Sequence, residues 1–256
     1  MVRSAILAAG ALLTLVLTAT AANAAAIPAY ITAAVADSAR PESDRQRDAE
    51  RKPAETLAFA GVKPGDKVIE LAPGGGYYTR LLSAVVGPKG KVYAIVSPPK
   101  PDAPAGAPVP GAAVRAIAAD PHYGNVTVSV QRVYELVAPE KADVVWTSQN
   151  YHDFHNIPDI KVFSINRAVW EALRPGGTYL VLDHSAPAGS GDSDTGTLHR
   201  IDKNTVVREV TGAGFELLGE SNILANPADP RTAKVFDASI RGHTDQFLLK
   251  FRRPTT

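Results

Sequence analysis

With 256 residues, 45% of them hydrophobic and 21% charged, the chain is long enough for one sizeable domain and too short for two comfortable ones. Its 27 basic and 26 acidic residues nearly cancel, so no basic surplus marks it for nucleic acid or an anionic membrane. Cysteine is absent and the single methionine is the initiator, which excludes disulfides, thiolate nucleophiles and thiolate metal sites.

The first feature along the chain is a leader. Arg3 is the only charge before Asp37, an apolar run covers 5–17, and a small-residue stretch ends in Ala22-Asn23-Ala24. A basic start, a short apolar core and an Ala-x-Ala site make residues 1–24 a predicted secretory signal peptide. Its apolar core is shorter than the ~20 residues a bilayer span needs, so cleavage near Ala24 is expected in preference to anchoring. The mature protein is then formally neutral and exported, periplasmic or secreted, with no stable membrane association after cleavage. Residues 25–42 read as an N-terminal tether, and a single folded domain is expected over 43–256.

Residues 40–60 are charged and helix-forming, and Pro53 marks a helix start. Strands are predicted at 67–71, 91–96, 126–130, 142–146 and 178–182, each a short apolar run bounded by turn residues. Helices are predicted at 77–86, where Tyr77, Leu81, Leu82 and Val85 recur at helical spacing, and at 160–173 and 201–213. The Pro-, Ala- and Gly-rich segment 97–111 reads as a stiff surface loop. Two closing strands, 215–218 and 247–251, have no long helix between them. The fold is therefore α/β: a mainly parallel seven-stranded sheet with right-handed crossovers and an antiparallel C-terminal edge strand. Ligands of such sheets bind beyond the carboxyl ends of the strands, so the residues after strands one, two, four and five carry the functional question.

Strand one runs into Glu70-Leu71-Ala72-Pro73-Gly74-Gly75-Gly76-Tyr77. Glycines at a strand-to-helix turn allow positive φ and close approach of a ligand, and the helix that follows offers free N–H groups. A dinucleotide fingerprint requires G-x-G-x-x-G, which this segment lacks. The turn resembles instead the first motif of the class I S-adenosylmethionine-dependent methyltransferases, acid-x-Gly-x-Gly-x-Gly. Glu70, Ala72, Gly74 and Gly76 fall at its positions, with alanine at the first glycine. Leu173-Arg174-Pro175-Gly176-Gly177 also looks like the turn those enzymes place before strand five. A closer likeness is to exported, little-characterised predicted methyltransferases that carry the same Pro-Gly-Gly-Gly-Tyr turn.

The resemblance implies a Rossmann-like methyltransferase sandwich, S-adenosyl-L-methionine as cofactor and a small-molecule acceptor. It assigns the cofactor to Glu70, Ala72, Gly74, Gly75 and Gly76, with Val96 at the end of strand two. Family members carry a ribose-binding acid at that last position, and Asp102 on the proline-rich loop is the candidate substitute. Gln131-Arg132 stands where the adenine is often read, after strand three.

Strand four leads into a polar segment, Gln149-Asn150-Tyr151-His152-Asp153-Phe154-His155, and strand five into Asp183-His184; His199 opens the next helical region. Imidazole beside carboxylate is the usual equipment for proton transfer near neutral pH. His152, Asp153 and His184 are accordingly the candidate catalytic residues, and Gln149 and Asn150 the candidate contacts to substrate or to the cofactor's amino-acid end. No metal is assigned. The sharper alternative is a metal held by His152-x-x-His155 with Asp153, Asp183 or His184, and the plainer one is that these residues cap helices and loops. Arg231 and Arg241, on the long segment between the last two strands, are candidates to meet an anionic substrate. Two other functions fit the same residues: a non-catalytic small-molecule-binding protein on this fold, and a His/Asp-based hydrolase or lyase.

Overall fold

Seven short apolar runs pair into one sheet: β1 (Lys67–Leu71), β2 (Lys91–Val96), β3 (Val126–Val130), β4 (Ala142–Ser148), β5 (Leu173–His184), β6 (Glu216–Ser221) and β7 (Gln246–Arg252). The computed structural model describes residues 26–104 and 106–255, so the predicted leader, 1–24, lies outside the described residues. The strand order is β3-β2-β1-β4-β5-β7-β6. Strands β1 to β5 are parallel, and β7 runs antiparallel to both β5 and β6. The antiparallel element thus sits at the C-terminal side as expected, but β6 takes the outermost place and β7 fits inside it.

The sheet is covered on both faces, which is why its central strands are buried almost end to end, while β3 and β6 at its edges alternate. On one face lie α1 (Ala29–Val35), α4 (Pro53–Ala60), α5 (Tyr77–Val86) and α6 (Ala112–Ala119), packed on Val68, Val92, Val144, Trp146 and Leu248. The other face carries α7 (Val162–Ala172) and α8 (Lys203–Gly212) over Ile69, Tyr93, Val145, Tyr179 and Phe251. Two single-turn helices, α2 (Glu42–Arg45) and α3 (Asp48–Arg51), lead into α4 at Pro53, the first residue of that helix as predicted.

Two expectations need correction. Residues 26–42 are not a tether: α1 docks on α4 and α5, Ile31 is fully buried, and the buried Arg40 guanidinium binds Val35 O at 2.5 Å and the Asp48 carboxylate at 2.6 Å. An alanine-rich helix with Ile31 and Ala34 as its buried positions leaves too weak a periodic signal to find in sequence. Strand five also begins earlier than 178. The pairing runs back to Leu173 opposite Ala142, with a register shift between Ala142 and Val144; Gly176, at φ 76°, is where the chain bends.

All five parallel strands point their carboxyl ends at one rim. β7 starts there too, because Gln246 pairs with His184. The rim therefore gathers the glycine turn, the segment after β4, the end of β5 and residues 244–246.

Candidate active site

The turn after β1 is built around left-handed backbone. Ala72 has φ 48°, a conformation that favours glycine, and it stands where the family motif has its first glycine. Its amide donates to Ile95 O at 3.0 Å, and its carbonyl accepts from Asn150 Nδ2 at 3.1 Å. Asn150 Nδ2 also reaches Leu71 O and Ser148 O, and its Oδ1 accepts from the Thr147 hydroxyl. The Asn150 amide is thus fully engaged in tying the β4 segment to the glycine turn. It lines the site as a positioning residue; its polar atoms are not left over for a ligand.

The three glycines divide the work. A Cβ on Gly74 or Gly75 would meet nothing within 4 Å, whereas one on Gly76, at φ 80°, would lie 2.1 Å from Ile117 Cδ1. Gly74 and Gly75 border open space, and Gly76 fits the turn against α6. Glu70 lies beneath, buried, with its carboxylate accepting from Thr79 Oγ1 at 2.5 Å. Burial pushes its carboxyl up to about 7, and the Thr79 hydroxyl offsets only part of that.

Three adjoining cavities open along the rim. The first, about 330 Å³, lies over the turn and is lined by Glu70, Gly74, Gly75, Tyr77, Arg51 and Gln149, among others. The second, about 240 Å³, continues past Ala72 and Asn150 to Ile95, Ser97, Gln131, Val133, Phe154 and Ile157. The third, about 470 Å³, lies on the other side of Arg51 and Gln149, against His184, Thr244, Gln246, Arg241 and Phe236. Gln149, at φ 59°, stands in the partition: Arg51 Nη2 donates to its Oε1 at 2.9 Å and its Nε2 donates to Gln246 Oε1 at 2.9 Å.

Arg51 is the main residue that sequence reading missed. It stacks over the Tyr77 ring at 4.6 Å, and among the described residues no carboxylate lies within ion-pair distance of it. Burial draws its guanidinium below the ordinary arginine range, with Arg47 adding repulsion. A half-buried cation whose one side-chain acceptor among the described residues is the Gln149 amide favours an anion in the space before it. The charge run 44–51 was visible in sequence, but its meeting with the glycine turn depends on the fold.

His152, Asp183 and His184 form a buried network beside these cavities. Asp183 Oδ1 bonds His152 Nδ1 at 2.8 Å and accepts from the His184 amide at 2.8 Å, while Oδ2 accepts from the His152 amide at 2.8 Å. Burial works against a charged His152, but the Asp183 carboxylate, through charge and hydrogen bond, and Asp153 outweigh it and hold the imidazolium above its usual range. His184 is driven the opposite way, down to about 4, by burial, with His152, Arg200 and Arg51 adding to it and Asp183 opposing. Its Nδ1 bonds Thr244 Oγ1 at 2.8 Å, and its ring forms part of the wall of the third cavity.

The three candidate catalytic residues, His152, Asp153 and His184, do not meet in one cavity. Asp153 borders the first and second cavities with the glycine turn, and His184 borders the third. His152 is buried behind them, its ring 6.2 Å from that of His184. The His152-x-x-His155 pairing does not form, because His155 turns to Glu209 at 3.2 Å and Asp192 at 3.3 Å. Val96 lines none of these three cavities: its side chain packs where a Gly111 Cβ would be, and Ser97 is the residue of this segment that lines the second. Asp102 is exposed on its loop. Of the two arginines proposed for an anion, Arg241 lines the third cavity, and Arg231 pairs with Asp245 at 3.0 Å.

No protein-family model matches the sequence, and no curated protein matches it. Among solved structures, the chain is similar to a SAM-dependent methyltransferase from Aquifex aeolicus, at 16% identity and TM-score 0.58, over 84% of this chain and 98% of that one. It is similar to the glycopeptide N-methyltransferase MtfA complexed with S-adenosylmethionine, at 16% identity and TM-score 0.53, over 78% and 86%. It is equally similar to the cyclase SpnF, at 16% identity and TM-score 0.57, over 84% and 82%. The chain has the Rossmann-like fold of the S-adenosylmethionine-dependent methyltransferases. That the same fold carries a cyclase shows why the reaction has to be argued from the site.

Proposed function

We propose that this protein is a methyltransferase that binds S-adenosyl-L-methionine over the glycine turn and methylates a small acceptor held in the cavity beside His184. The observation that carries the reading is the open cradle at Gly74 and Gly75, with the Arg51 guanidinium, which has no carboxylate partner among the described residues, at its edge. Arg51 suits the carboxylate of the methionine part, and Glu70 sits below the same end. The apolar second cavity, with Ile95, Val133, Phe154 and Ile157, suits a flat heterocycle. The fit is weaker at the ribose, where Ser97 offers a hydroxyl in place of the family's carboxylate. A charge-assisted hydrogen bond is worth ~1.5–3 kcal/mol, so affinity roughly tenfold to a hundredfold below that of an acid-bearing relative follows.

When bound, S-adenosylmethionine supplies an electrophilic methyl group. The protein's own part is to place the acceptor and take its proton. Arg47 and Arg241 on the third cavity favour an anionic acceptor. His184 is a neutral imidazole fixed by Thr244; with its proton on Nδ1, Nε2 keeps a lone pair for an acceptor O–H or N–H. Asp153, facing the turn, is placed to orient the reacting groups.

Isothermal titration of the full chain with S-adenosylmethionine tests the reading. We expect one saturable site in the parent, lost in Gly75→Val with no fall in melting temperature, because a side chain there meets only the cavity. A parent that does not bind, or a variant that binds as the parent does, removes the cofactor and leaves a binding protein or a His/Asp enzyme on this fold.

A further inference from the structure

We propose that His152, Asp153 and His199 form a binding site for one divalent transition-metal ion, with Zn²⁺ the best match. His152 Nε2 lies 3.4 Å from Asp153 Oδ1, and His199 Nδ1 lies 3.5 Å from the same oxygen. The three ligand atoms all fall within 4.8 Å of one another. Ligands about 2.1 Å from a tetrahedral centre are ~3.4 Å apart, so the two spacings to Asp153 match a zinc site better than the ~3.0 Å of neighbouring octahedral ligands, and the two histidines lie close enough to close the set.

Each ligand is prepared for this role by its surroundings. Asp183 takes the proton side of His152, through Nδ1 at 2.8 Å, and fixes the backbone through the His152 amide. Nε2 is thereby left as the atom that faces Asp153 and His199. A carboxylate that orients a ligating imidazole in this way is the usual partner of metal-bound histidine. His199 has φ 57°, a backbone cost that surrounding structure must hold, and such strain gathers at functional sites. Its ring is set edge-on to His152 at 5.4 Å and to Phe236 at 4.9 Å. The next residue, Arg200, is fully buried and locked to Asp229 at 2.8 Å. His199 is therefore held in place from both sides.

Charge and access agree with an open site. Two carboxylates, Asp153 and Asp183, balance a dication. The Asp153 side chain is 52% exposed and lines both cavities next to the glycine turn, so a fourth ligand can enter from there. Two imidazoles and one carboxylate favour zinc and its neighbours over calcium or magnesium, which prefer all-oxygen sets.

The test titrates Zn²⁺ into the untagged, chelator-stripped full chain without S-adenosylmethionine, so its outcome is independent of the methyltransferase reading. We expect one zinc per chain, and intense visible absorption of tetrahedral type when Co²⁺ replaces it. Asp153→Asn and His199→Ala, at accessible positions, should each weaken zinc binding about a hundredfold or more with the melting temperature of the metal-free chain held. His155→Ala should leave binding unchanged. Absence of a saturable site in the parent overturns the proposal. So does affinity that survives both ligand substitutions, or that falls only with His155→Ala.

Discussion

Glu70 shows how one buried side chain at the edge of a cavity can weigh on the fold. Its carboxyl titrates at about 7 in the folded chain against an ordinary 4.5. Between those values the folded state holds a proton that the unfolded state has released. Stability is therefore full below pH 4.5 and falls as pH rises through 7, by on the order of 3 kcal/mol from this group. Glu70→Gln keeps an acceptor for the Thr79 hydroxyl and has no charge to bury. Its stability, from urea unfolding at pH 5 and pH 8 without ligand, should fall less over that interval than the parent's, and the variant should be the more stable at pH 8. Equal pH dependence in the two proteins would place the raised titration elsewhere. A cation bound beside Glu70 would ease the same cost, which couples this residue to the occupancy of the turn.

At the scale of the element, the glycine turn is two structures in one: an open lip at Gly74 and Gly75, and a packed joint at Gly76. Gly76→Ala adds a Cβ 2.1 Å from Ile117 Cδ1 at φ 80°. Left-handed strain and overpacking together should cost roughly 2–4 kcal/mol. Ile117→Val removes the clashing methyl, so the double variant should recover part of the loss, measured as a favourable coupling energy in a double-mutant cycle of urea unfolding. Additive effects would mean that the turn and α6 do not touch. This contact also marks where sequence reading stopped. The boundaries of β1, β2, β3 and α5 are legible to the residue, because the strands are short β-prone runs between turn residues and α5 repeats its apolar residues at helical spacing. α6 is not, since Ala112–Ala119 is mostly alanine and follows a proline-rich stretch. The same contrast holds in the site. The glycine turn and the His/Asp rim could be found because their residue types cluster along the chain. Arg51, Thr244 and Gln246 could not, because they join the rim only through the docking of α3 and the insertion of β7. The alternative pairing of His152 with His155 fails for a related reason: spacing says nothing of Glu209, which draws His155 away.

For the whole molecule, the leader is the first matter to test. No helix among the described residues is long and apolar enough to cross a membrane. Protein recovered from the cell envelope should begin at Ala25 or within a few residues by intact-mass analysis; full-length chain from the cytosol would refute export. The order of the sheet bears on what happens before that. β7 is the last strand along the chain, yet it fits between β5 and β6, which are both made earlier. Until it arrives, two strand edges face an empty slot, and Thr244 and Gln246 are missing from the rim. The sheet is like an arch whose keystone is cut last: every other strand can be in place and β5 and β6 still have no partner between them. The third cavity, whose wall needs Thr244 and Gln246, therefore takes shape only when β7 pairs with both of its neighbours.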